Sequence, residues 1–174
     1  MVTEGGGDIG SEAVLVKETR AGRFQVAVQA SGSRFLVDEP VAFGGLASGP
    51  NPYDLLAAAL GACMAMTIRL YAERKSWRLS AVTVRVSHMR ATLKARDHFD
   101  REIIVEGGLD NLQRAKLLEI ANRCPVHLTL ERGADVSTLM VHALPASSAI
   151  SSAVGQHVKD MKEASSTPDK SAGI

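Results

Sequence analysis

Cys63 and Cys124, the two cysteines of this 174-residue chain, are the residues best suited to chemistry. A thiolate is a strong nucleophile, and a second thiol can close a disulfide on the first, so such a pair suits redox exchange. Each cysteine also has a plainer reading. Cys63 sits in LLAAALGACMAM, where a small core residue would serve, and burial alone raises a thiol's pKa and leaves it inert. Cys124 stands before Pro125, which ends a helix because the residue before proline disfavours the helical region. It is expected at a break where a thiol is mobile and exposed. If Pro125 opens a short helix through Leu130, Cys124 becomes its N-cap, where the dipole favours a thiolate. Pairing the two demands Cα atoms within about 7 Å, and spacing alone leaves that open.

Other candidates carry less. Cys124-x-x-His127 with His88, His98 and His142 lacks a second close ligand pair, so no metal is expected. Gly44-Gly45 lacks the spacing and the following Lys of a phosphate-cradling loop, and no cofactor is expected. Trp77 and Tyr71 read as packing anchors. Met64 and Met66 read as core filling that could also line an apolar pocket.

The elements that must position the thiols follow from periodicity. Ala13 to Thr19 and Arg23 to Gln29 alternate like strands joined by Ala21-Gly22, and Ser31-Gly32-Ser33 turns into an extended segment from Arg34 to Phe43. After a Gly- and Pro-marked loop, Asp54 to Lys75 reads as a helix. Val82, Val84 and Val86 alternate with polar residues, and Arg101 to Glu106 is the partner strand. Asp110 and Gln113 have capping-box spacing for a second helix bearing Leu112, Leu117, Ile120 and Ala121, and Ala134 to Val141 is a last strand. Grouped rather than alternating strands and helices predict an α+β fold with a largely antiparallel sheet.

The Cys63 helix is apolar right round, so it must be covered on all sides. A domain of this size cannot easily enclose a helix of about 33 Å, and a second copy of the chain could; a homodimer is predicted. Ala57, Ala58, Ala59, Gly61 and Ala62 would let neighbours approach closely. Twenty Lys and Arg against nineteen Asp and Glu give a formal charge of +1, which offers no broad electrostatic footprint for nucleic acid or an anionic membrane. The N-terminus shows no signal peptide, and the near-apolar run Leu55 to Met66 falls short of the roughly 20 residues that span a bilayer. A cytoplasmic location is expected. One domain is expected over residues 12–144, after a flexible 1–11 with four glycines and before a disordered, Ser- and Ala-rich tail over 145–174. In that tail Val154, Val158 and Met161 could line a helical face.

GPNPYDLLAAALGACMAMTIRLYAERK, followed by RCPVH with its cysteine sixty-one residues after Cys63, resembles the OsmC/Ohr family of thiol-dependent hydroperoxide reductases. The pattern is closest to the YhfA-like branch. The resemblance implies an OsmC-like fold, an intertwined homodimer with two central helices and an active site at each subunit interface. It further implies that Cys63 attacks an organic peroxide and becomes a sulfenic acid. Cys124 then resolves it to an intramolecular disulfide, which a dithiol or lipoyl reductant reopens. Family members hold the thiolate with an arginine from the N-terminal strands, oriented by a glutamate after Asn-Pro. Here the residue after Asn51-Pro52 is Tyr53, and Asp54 follows one position, about 100°, further round the helix. Arg23 fits the arginine best, with Arg20 and Arg34 as alternatives. The other reading is a non-catalytic or redox-sensing relative that binds an apolar small molecule at the dimer interface.

Overall fold

The computed structural model describes residues 14–142 and 156–166. The segments 1–11, expected to be flexible, and 145–155 and 167–174 of the expected tail, Val154 among them, fall outside these. Where one domain is expected over 12–144, the described residues divide into two units, each with its own hydrogen-bonded sheet. One holds residues 14–51 with 136–142 and 156; the other holds 52–135 with 157–166.

In the first unit β1 (Leu15–Glu18), β2 (Val26–Ala30) and β3 (Ser33–Val37) form an antiparallel meander. Ser31 and Gly32 turn between β2 and β3 with φ of 48° and 76°, the positive values that a two-residue hairpin turn requires. The extended segment expected to reach Phe43 stops at Val37, and Val41–Phe43 is a 3-10 turn. Asp38 explains the stop. Its buried carboxylate accepts the amides of Glu39 (2.8 Å), Leu46 (3.0 Å) and Ser48 (3.3 Å) and the Ser48 hydroxyl (2.7 Å). The Ser48 hydroxyl bond, against opposing burial, leads in holding this carboxyl below its ordinary pKa. Pro40, next in line, has no N–H for a ladder.

The second unit carries both cysteines. Its long helix α1 (Pro52–Arg74) lies on a hairpin of β4 (Arg78–Met89) and β5 (His98–Gly108), with α2 (Asn111–Ala121) and α3 (Pro125–Arg132) following and α4 (Gln156–Ser166) docking late. β4 and β5 pair antiparallel from Arg78 opposite Gly108 to Met89 opposite His98. Alternation sends Val82, Val84, Val86, Ile103 and Val105 to the helix side, where they pack on a core of Leu60, Met64, Ile68, Tyr71, Leu117 and Ile120. Trp77 meets Tyr71 edge-on at 5.5 Å. Arg69 ties α1 to the start of β4 through the carbonyls of Leu79 (2.6 Å) and Ser80 (3.1 Å). The capping box of α2 forms as its sequence predicts: Asp110 accepts the Gln113 amide at 2.7 Å, and Gln113 Oε1 accepts the Asp110 amide at 3.0 Å.

α1 is 23 residues long and by length and composition could cross a bilayer, further than the twelve-residue run suggests. Its Leu60, Cys63, Met64, Thr67, Ile68 and Tyr71 side is built into the core of this unit. The other side, with Leu56, Ala59, Ala62 and Met66, is exposed on the single chain. Met66 is therefore not core filling here, whereas Met64 is.

Two expectations need correction. Ala134 to Val141 is not a strand: it pairs with no strand among the described residues, and Val136, Leu139 and Met140 stand exposed. A strand pattern without a ladder partner leaves its backbone to solvent. The tail expected to be disordered contains α4, which buries Met161 and Ser165. Arg74 at the end of α1 holds its last turn by donating to Ser165 Oγ (2.8 Å), Ser166 Oγ (2.9 Å) and the Lys162 carbonyl (3.4 Å).

Gly61 marks the close approach of α1 to β4, since a Cβ there would lie 3.2 Å from Val86 Cγ2. Gly61→Val should therefore lower unfolding free energy by about 1–3 kcal/mol through overpacking, read from urea melts. An unchanged midpoint would contradict this packing.

Candidate functional site

Helix α1 carries Cys63 on its buried side, where Thr67 Oγ1 bonds the Cys63 carbonyl at 2.8 Å. Cys124 caps α3 with extended backbone dihedrals (φ −63°, ψ 140°), and Pro125 supplies the preset first helical residue. The core brings the two thiols together, close enough for the Cys124 S–H to act on the Cys63 sulfur. Both are buried, Cys124 with 0% of its surface exposed, so the exposure that its place before Pro125 would allow is not found. α2 ends at Ala121 with Asn122 as its C-cap, ahead of the break expected at Cys124-Pro125, and Pro125 starts α3, with Cys124 buried in the core between them.

Three donors converge on the Cys63 sulfur. Cys124 contributes its S–H. The Val126 amide, freed at the start of α3, lies at 3.4 Å, and His157 Nε2 lies at 3.1 Å. The Cys124 bond is the largest contribution; with His157 and the Val126 amide it outweighs burial and lowers the Cys63 pKa to about 5. Cys124 moves the opposite way: its bond to Cys63 and its own burial drive its pKa up, against the charge of Arg101. The helix end thus serves Cys63 with a backbone donor, and Cys124 is not the thiolate that its N-cap position suggested. The pair is thus divided into an ionised thiol, the form that is nucleophilic, and a protonated one.

The cation that this unit brings to the pair is Arg101 on β5, which sequence reasoning passed over. Arg101 donates to His127 Nδ1 at 3.0 Å and to Asn122 Oδ1 at 3.1 Å. Because a guanidinium only donates, Nδ1 accepts and the ring proton of neutral His127 sits on Nε2, toward Glu131 at 3.6 Å. Burial, then Arg101, depresses the His127 pKa, with Glu131 opposing. His127 is so engaged, and among the described residues no group of three or more His, Cys, Asp or Glu could hold a metal ion. Arg23 lies in the first unit, exposed before β2, with its guanidinium carbon 5.2 Å from the Phe24 ring centroid. Arg20 and Arg34 belong to that unit too. Asp54 lies in the first turn of α1, where a carboxylate complements the helix dipole.

A cavity of about 540 Å³ opens in this unit, lined by Tyr53, Leu56, Leu60, Phe99, Arg101 and His127 among others. Leu60 stands one turn before Cys63. Tyr53 stacks on His88 at 4.2 Å and 5°, with Arg90 over its ring at 5.3 Å. Tyr53, the residue after Asn51-Pro52, is therefore a cavity wall.

The sequence matches the family described as OsmC-like protein over residues 45–139, from before α1 to beyond α3, with both cysteines inside. The chain belongs to the OsmC family. No curated protein matches it. Among solved OsmC-like folds it is similar to a protein of Psychrobacter arcticus described as an osmotic-stress-induced and detoxification-response protein (24% identity, 69% of this chain and 88% of that one, TM-score 0.61). An OsmC-like protein of Mycoplasma pneumoniae matches at 17% identity over 69% of this chain and 88% of that one, with a TM-score of 0.57. A Vibrio cholerae protein described as a candidate for organic hydroperoxide resistance, with captopril in one of its active sites, matches at 20% over 68% and 84%, with a TM-score of 0.50. At these identities the OsmC likeness is one of fold. His157 lies outside the matched residues, in a segment read as disordered; its one sequence signal was the helical spacing of Val158 and Met161.

Ultraviolet thiolate absorbance, taken as the difference between the protein and its Cys63→Ser variant, should titrate with a midpoint near 5. The thiolate appears as pH rises through that value and is complete at neutral pH. Cys124→Ala removes the largest contribution and should move the midpoint upward. A midpoint near the ordinary thiol value of about 8.5 would contradict the geometry.

Proposed function

We propose that this OsmC-family protein is a peroxidase that reduces organic hydroperoxides with Cys63 as nucleophile and Cys124 as resolving thiol. The observation that carries the reading is the meeting of two buried thiols in one core, with the Val126 amide and His157 Nε2 on the Cys63 sulfur and the pKa values of the pair pushed apart. In the first step the Cys63 thiolate attacks the distal peroxide oxygen; the O–O bond breaks, the sulfur becomes a sulfenic acid and an alkoxide leaves. In the second, the Cys124 sulfur displaces the hydroxyl from Cys63, the S–H proton leaves with it as water, and the disulfide forms. A dithiol, lipoyl groups included, reopens the disulfide by two exchanges. The cavity beside Leu60, with Tyr53, Leu56 and Phe99 on its walls, supports an apolar peroxide as substrate. The location consistent with such a reducing supply is the cytoplasm.

The uncovered apolar side of α1 and the strand pattern of 134–141 support the intertwined homodimer, in which a second copy would cover the former and pair with the latter. Light scattering at micromolar concentration should give twice the mass of one chain, and a monomer there overturns the dimer. Arg23 as the cation and Asp54 as its orienter remain part of this proposal for the assembled dimer. The stacking of Tyr53 on His88, where the family uses a glutamate, favours a second reading, a redox-sensing member that binds an apolar ligand in the cavity.

Mass spectrometry after one equivalent of cumene hydroperoxide separates the two. The enzyme loses two hydrogen atoms, two protons with the two electrons that reduce the peroxide, and yields a linked Cys63–Cys124 peptide; free thiols at both positions support the binder. Cys63→Ser should abolish peroxide consumption, while Cys124→Ser should allow one turnover and leave Cys63 as sulfenic acid. Equal residual activity in the two variants contradicts the assigned roles.

A further inference from the structure

Attack on a hydroperoxide by a buried thiolate leaves one matter open: where the thiol proton goes, and what protonates the alkoxide that departs. An alkoxide released unprotonated into an apolar interior is a costly buried charge. A group able to return a proton must stand beside the Cys63 sulfur. In the proposed second step the Cys124 proton leaves with the water, so the proton for the alkoxide comes from another group.

His157 meets the requirement. Its Nε2 lies 3.1 Å from Cys63 Sγ. It is the second residue of α4, a helix fixed at its far end by Arg74 and along its length by buried Met161 and Ser165. The contact is thus set by a docked helix. The other titratable and charged groups at the pair are Cys124 and His127 on α3 and Arg101 on β5. Nδ1 of His127 is committed to Arg101, so that imidazole is no substitute.

We propose that His157 is a catalytic residue, holding the proton that Cys63 gives up and passing it to the departing alkoxide. Resting Cys63 is a thiolate beside an imidazolium that donates Nε2–H to it. Attack forms the S–O bond and breaks the O–O bond; the peroxide is reduced by the electron pair that the sulfur supplies. The Nε2 proton moves to the alkoxide, giving an alcohol, a sulfenic acid and neutral His157. Resolution by Cys124 gives water and the disulfide. A reducing dithiol then restores both thiols, and the Cys63 proton returns to His157. General acid assistance of this kind contributes about 10²–10⁴-fold to rate.

The inference rests on the reading of Cys63 as a peroxide nucleophile, and its test separates the two. His157→Ala and His157→Gln would be made in the full chain. The Cys63 thiolate titration, which needs no peroxide, should shift upward by about one unit in His157→Ala, a tenfold loss of thiolate on the acid side. His157→Gln, which keeps an N–H donor but cannot give up a proton, should shift less. At a pH where Cys63 is ionised in all three proteins, both variants should reduce cumene hydroperoxide about a hundredfold more slowly. Peracetic acid, whose departing acetate needs no proton, should be reduced by both within a few-fold of the unsubstituted protein. An unmoved titration in His157→Ala overturns the pairing, and equal slowing with both oxidants overturns the proton return. Should the unsubstituted protein consume no hydroperoxide, the peroxidase reading and the proton return fall together, while the titration still decides the pairing.

Discussion

An ionised sulfur inside an apolar interior persists only if hydrogen-bond donors meet it there, because a bare charge in that environment costs several kcal/mol or more. Much of the second unit can be understood as the delivery of donors to Cys63. Gly61 lets α1 lie close on β4, and Arg69 clips the helix to the strand's first carbonyls, which together set the depth of the Cys63 sulfur. Pro125 opens α3 directly after Cys124, so that an amide without an intrahelical partner, Val126 N–H, points at that sulfur. Cys124 stands at the same break and adds its S–H.

The two thiols are chemically alike and structurally opposed. One accepts donors from three directions; the other spends its proton on the first and is buried besides. That asymmetry is more informative than proximity, because a pair of equally inert thiols could also lie close together. Arg101 adds to it indirectly. Its guanidinium is divided between Asn122 and His127, so it fixes the imidazole tautomer beside Cys124 while its charge reaches the thiol itself.

The single chain satisfies its inner surfaces more fully than its outer ones. The core side of α1 is closed by the hairpin, while Leu56 and Met66 on its other side stay open. The same is true of residues 134–141, whose alternation suits a ladder that the described chain does not supply. The family match covers α1 and reaches residue 139.

The α1 and α2 spans, the valine alternation of β4, the Asp110 box and the helix after Pro125 were legible because each depends on residues a few positions apart. The two candidate thiols were legible too, since cysteine is scarce here and each stands in a distinctive local context. Contacts set by distant residues were not. Asp38 draws its amide donors from as far as Ser48, which a strand pattern cannot anticipate, and 134–141 has strand spacing without a described partner. The direction of each thiol's ionisation was also hidden: an N-cap position favoured Cys124, yet three donors converge on Cys63. Arg101 and His157 acquire meaning only when β5 and α4 pack, because charge and hydrogen bonding act over ångströms in space, and no local pattern records which remote residues will share them.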